Sequence, residues 1–270
     1  MVVVGRSRRG SARRTKLVIV LAICLLCVGS NVQGAYGQTD DNQKYCRKDG
    51  RVVVFLVDVT TPYDRLDKEA IVRMTNSIFS SVQGGDELIV HTISDSHAHS
   101  KRLVDRCIPV CTSSSAFGRF FKCNDGAIRT DFERVRTDVI GALRKRLLTF
   151  QEQKYSDIVR TIYNVTKEDR REGRGLVLYV YSDLIENSDY FASRYLFSYS
   201  LKRLIDGLKY YKLIANLRGA NVYVAGVGRS GTEDRHALPI SEYNKLIEFW
   251  AAYFRESGAK SVAIGQNLNE

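Results

Sequence analysis

Residues 52–62 read Val52-Val53-Val54-Phe55-Leu56-Val57-Asp58-Val59-Thr60-Thr61-Pro62 and carry the strongest structural signal in the chain. The apolar run from Val52 to Val57 leaves no polar face, so it reads as a strand covered on both sides, as in a sheet between two helix layers. The run stops at an acid, Asp58. From Asp64 to Val82, Ile71, Met74, Ile78 and Val82 recur at helical spacing, and Gly84-Gly85 marks the stop.

The same alternation continues along the chain. Asp86 to Ile93 predicts a second strand, and Lys101 to Val110 a third, joined through a short polar turn as an antiparallel hairpin. Cys111 to Thr130, rich in Ser, Gly and Phe, reads as an irregular loop. Helices are expected over Asp131–Phe150, with Phe132, Val135, Val139, Leu143 and Leu147 on one face, and over Ser156–Thr166. Leu176 to Tyr181 is another buried strand, ending in Ser182-Asp183. A long helix over about Phe191–Leu217, a strand from Asn221 to Val227, a helix over Ser241–Glu256 and a short strand from Lys260 to Ile264 complete the chain. Strands alternating with helices imply an α/β fold with a mostly parallel sheet and helices on both faces.

In such sheets ligands bind beyond the carboxyl ends of the strands, near the switch in strand order. The first and fourth strands end there in Asp58-Val59-Thr60-Thr61-Pro62 and Ser182-Asp183. Asp58 opens a loop of the D-x-S-x-S type, Lys154-Tyr155-Ser156-Asp157-Ile158 places a hydroxyl before a helix, and Asp183 closes the fourth strand. With these features the chain resembles the von Willebrand factor type A-like family over about residues 51–264, in element order more than in residue identity. The resemblance implies a doubly wound, six-stranded sheet whose third strand is an antiparallel edge. It also implies a metal ion-dependent adhesion site, with Asp58, Thr60, Ser156 and Asp183 around Mg²⁺ or Mn²⁺. Pro62 stands where the family has its second hydroxyl, which makes the site degenerate; Thr61 or Asp64 are the compensating ligands at hand. Asp64 also reads as a helix N-cap. The competing reading has Asp58, Thr60 and Asp183 hydrogen-bonding free amides at helix N-termini.

The flanks set the compartment. Residues 1–37 hold Arg6, Arg8, Arg9, Arg13, Arg14 and Lys16 and no acid, so six of the net +11 charges lie there. The remaining body is only mildly basic, which argues against nucleic acid as a partner. Leu17 to Val28 is an apolar run followed by small and polar residues, the pattern of a secretory signal; Ala35-Tyr36-Gly37 fits a cleavage site before Gln38. Uncleaved, residues 17–28 would instead anchor the chain to an inner membrane, the one membrane contact the sequence suggests. The expected organisation is a signal peptide or N-terminal anchor at 1–37, a polar lead-in at 38–50, the domain at 51–265 with a cysteine-containing loop at 107–130, and a tail at 266–270. Export makes Cys46, Cys107, Cys111 and Cys123 candidates for two disulfides with three connectivities, at least one bridge stapling the 107–123 loop.

No hydrolase, zinc-protease or phosphate-loop motif occurs, and His97-Ala98-His99 reads as a polar hairpin tip rather than a zinc site. The expectation is an exported, non-catalytic protein-binding or assembly module, periplasmic or secreted, with a protein partner in the cell envelope or extracellular space. It would capture an acidic group of that partner through the bound cation. The alternatives are a metal-free envelope scaffold that binds through its helical faces, and an exported metal-dependent hydrolase built on Asp58 and Asp183.

Overall fold

The computed structural model describes residues 44–111, 124–149, 152–230 and 235–266. The expected signal or anchor, residues 38–43 of the lead-in, Cys123 and the end of the tail lie outside these residues.

Six strands form one sheet in the order β3-β2-β1-β4-β5-β8: β1 (Val52–Asp58), β2 (Glu87–Ile93), β3 (Arg102–Cys107), β4 (Leu176–Tyr181), β5 (Asn221–Ala225) and β8 (Ser261–Ile264). All pairs are parallel except β2 with β3, which makes β3 the antiparallel edge. The fold is therefore α/β and doubly wound. β1 sits at the centre, and every one of its residues is buried, as its lack of a polar face requires. Its side chains alternate between two cores. Val52, Val54 and Leu56 pack with α3 (Ile158–Asp169), α5 (Leu201–Tyr210) and α6 (Ile240–Glu256). Val53, Phe55 and Val57 pack with α1 (Arg65–Ser81) and α2 (Asp125–Leu148) on the other face. This is the period-two alternation of a strand serving two layers.

α2 begins six residues before the expected Asp131, at Asp125, because the Asn124 side chain accepts the Ala127 amide and caps the helix. The long helix expected over about Phe191–Leu217 is two short helices, α4 (Arg194–Ser198) and α5. Tyr199 and Ser200 are extended between them, and the Ser200 hydroxyl caps α5 by accepting from Arg203 N. A two-stranded ribbon, β6 (Arg229–Ser230) with β7 (His236–Ala237), follows β5 where no strand was expected. His91 is buried, its Nε2 2.8 Å from Asp169 Oδ2. Cys46 is bonded to Cys107 and ties the lead-in to the end of β3. Cys111 also forms a disulfide.

Candidate functional site

The carboxyl ends of β1 and β4 form a polar basin. Asp58 is its centre, 2% exposed. Its Oδ1 accepts the Thr60 amide at 3.0 Å and the Thr60 hydroxyl at 2.6 Å. Its Oδ2 accepts the Ser182 hydroxyl at 2.7 Å and the Ser156 hydroxyl at 3.1 Å. These four bonds use the acceptor capacity of one carboxylate. Tyr63 adds a hydrogen bond from its hydroxyl to the Asp58 carbonyl. Ser156 is held at the basin by a backbone bridge to Asn187, donating its amide at 2.7 Å and accepting at 3.0 Å.

Asp183 lies on the opposite wall, 7% exposed. Leu184 after it adopts a left-handed φ of 62°, which costs a residue with a Cβ about 1–2 kcal/mol. Three bonds fix that turn: Leu184 N to Ser182 Oγ, Ile185 N to Asp183 Oδ1, and Trp250 Nε1 to the Leu184 carbonyl. Burial, followed by the nearby Asp58 charge, pushes the Asp183 carboxyl up to about 7. A cleft of about 170 Å³ opens between Thr60, Thr61, Ser156 and Asp183.

The four residues expected as metal ligands are thus brought together, and their hydrogen bonds can be set against the needs of an ion. Mg²⁺ requires near-octahedral oxygens. Asp58 already accepts four donors, and Asp183 Oδ2 and Thr61 Oγ1 each accept from Arg235, at 3.2 Å. Pro62 offers no side-chain oxygen. Asp64 accepts the Asp67 amide in a capping box at the start of α1, as its N-cap reading anticipates. Among the described residues no cluster of three or more His, Cys, Asp or Glu side chains is arranged to hold a metal. This donor set, as placed, does not fit a divalent ion.

Sequence reasoning missed half of the basin. Ser182 was legible beside Asp183 but carried no assigned role. Arg229 and Arg235 come from the ribbon region after β5; Arg229 contacts Asp64 at 2.5 Å and Asp67 at 3.0 Å. The Asp64 carboxyl is held down at about 2: burial works to raise it, and the hydrogen bond from Arg229 overcomes that. Beside the basin, Glu186 accepts the Ile158 and Val159 amides at the start of α3 and the Tyr190 hydroxyl. Full burial nonetheless pushes its carboxyl up to about 8.

Away from the basin lies an apolar feature. Between α1 and α2 runs a groove of about 290 Å³, floored by the buried Ile71 and Leu143. Val72, Ile140 and Leu148 on its walls are 55%, 41% and 72% exposed. Lys68 and Arg144 also line it, and neither has an ion-pair partner among the described residues. The tyrosines between residues 195 and 211 divide: Tyr195 and Tyr199 stack at 4.6 Å, with Arg203 over Tyr199, whereas Tyr210 and Tyr211 are exposed.

No family model matches the chain, and no curated protein matches it. Among solved structures it is similar to proximal thread matrix protein 1 from the mussel byssus. The two are 14% identical, with a TM-score of 0.39, over 82% of this chain and 43% of that one. The chain therefore spans less than half the length of that protein. The fold assignment rests on the strand order and register described above. No described helix is long and apolar enough to cross a membrane.

Proposed function

We propose that the chain is an exported, non-catalytic binding or assembly module on a von Willebrand A-like body, and that it engages its partner through the groove between α1 and α2. The observation that carries this reading is the groove itself: exposed aliphatic walls over an apolar floor, beside cations that have no ion-pair partner among the described residues. Apolar surface in contact with water favours burial at about 25 cal/mol per Å². Two helices side by side form a receptor for a third, the helix-in-groove mode of recognition. Lys68 and Arg144 select the charge of the occupant. The partner is an amphipathic helix of another protein, aliphatic on one face and acidic along its flanks.

This is the helical-face alternative from the sequence, with the acidic partner kept and the bridging cation dropped. The test uses labelled synthetic helices with leucines at the i, i+3, i+4 and i+7 positions and glutamates on the flanks, beside lysine-flanked and scrambled versions. Saturable binding of the acidic helices is expected, weakened about thirtyfold by Leu148→Asp and several-fold by Arg144→Glu. No saturable binding, binding indifferent to both substitutions, or binding only to vesicles of anionic lipid would overturn the proposal. A sedimentation profile showing that a second copy of the chain occupies the groove would do the same.

A further inference from the structure

The strand-end basin gathers more acid than its hydroxyls can answer. Asp58, Asp67 and Asp183 are each 7% exposed or less. Carboxylates at that depth must find a counter-charge or take up protons. The counter-charge comes from a segment remote in sequence. Arg235, its side chain 1% exposed, donates Nη2 to Asp183 Oδ2 at 3.2 Å and to the Arg229 carbonyl at 2.7 Å. Its Nη1 donates to Thr61 Oγ1 at 3.2 Å. Its Nε lies 3.5 Å from Asp67 Oδ2, within ion-pair range. The guanidinium carbon stands 5.6 Å from the centre of the Tyr63 ring, close enough for the ring face to back the cation. One group thereby joins the acid that ends β4, the hydroxyl loop that follows β1 and the first turn of α1.

We propose that Arg235 is the resident cation of this basin: its guanidinium, supplied by the chain itself, takes the neutralising and bridging place that a divalent ion would otherwise fill. A planar fork with five donors suits the task, because it can face two carboxylates and a hydroxyl at once without shedding a hydration shell as an ion must. The shape of the basin is then independent of metal. Removing the guanidinium leaves Asp183 without a counter-charge and Asp67 with Arg229 alone, among ready oxygens, which converts the basin into a place for an added cation.

The test is thermal melting of the full chain in EDTA and in millimolar Mg²⁺ or Mn²⁺, for the wild type and Arg235→Ala. The wild-type Tm is expected to be the same in all three conditions. Arg235→Ala is expected to melt about 10 °C lower in EDTA and to recover part of that saturably with either metal. Should that variant fail to fold, Arg235→Met combined with Asp183→Asn removes the cation together with its principal partner; it is expected to fold and to ignore metal. A wild type stabilised saturably by Mg²⁺ overturns the proposal. So does an Arg235→Ala protein as stable as the wild type, one destabilised yet unmoved by metal, or a double variant that does not fold.

Discussion

Asp58 in the strand-end basin takes four hydrogen bonds from its own chain, whereas Leu148 beside the α1–α2 groove leaves 72% of its surface in solvent. In sequence the basin has the character of a functional site, because acids and hydroxyls at strand ends are the raw material of binding. The groove residues have only the character of ordinary amphipathic helix. On the proposed reading the two change places. A polar group whose partners are internal has little left to offer a ligand, and its removal is felt as instability. An aliphatic side chain held in water contributes nothing to folding and gains only when something covers it. Satisfaction, more than residue type, separates a structural centre from a docking surface.

The largest expected effect lies in the basin. Asp58→Ala orphans the Thr60, Ser156 and Ser182 donors together and is expected to cost about 3 kcal/mol or more, read as a lower urea midpoint with unchanged slope. A variant of wild-type stability would break the contrast, since Asp58 would then have been held in reserve for a ligand. In the groove the order reverses. Leu148→Asp and Val72→Asp are expected to change stability by no more than about 0.5 kcal/mol, as exposed positions do, while abolishing most of the helix binding. Urea melts beside peptide titrations make the comparison.

The smallest effect concerns pH. Burial holds Asp183 and Glu186 up to about 7 and about 8, so the folded chain keeps protons that the unfolded chain has lost. The stability these groups add is fully present below their ordinary carboxylate range and drains away as pH rises through those raised values. Tm is therefore expected to fall as pH rises from about 5 to about 8, and Glu186→Gln is expected to flatten that fall. Asp157, Tyr190 and Tyr253 face Glu186 and leave the sign unchanged, because burial pushes each of them up as well. A Tm that climbs over this range would show that Glu186 is ionised throughout, paired with the α3 amides.

The sheet was legible because its signals are local. A run such as Val52–Val57 has no polar face at any register, so its burial on both sides can be read without knowing what covers it. The turn at Ser200 was not legible: the aromatic and aliphatic residues on both sides suit a continuous helix, and only the hydroxyl cap on Arg203 N divides it. In the basin Asp58, Thr60 and Asp183 could be named from strand-end position, and Ser156 as a hydroxyl placed just before a helix. Their roles could not, because those depend on a cation 52 residues beyond Asp183. Two arginines flanking the segment after Gly226-Val227-Gly228 were the available hint, and nothing in their spacing says which acids they meet. The groove escaped notice for the opposite reason: Val72, Ile140 and Leu148 stand out only once it is known that no described residue covers them.

On the proposed reading the partner is met in the groove and the basin is structural. This is tested most directly by titrating the acidic amphipathic helix, in EDTA, into the wild type, Leu148→Asp and Asp183→Asn. Binding retained in the wild type and Asp183→Asn but weakened about thirtyfold in Leu148→Asp is the predicted result. Binding that vanishes in EDTA or in a folded Asp183→Asn protein, and persists in Leu148→Asp, would contradict it and return the partner to the strand ends.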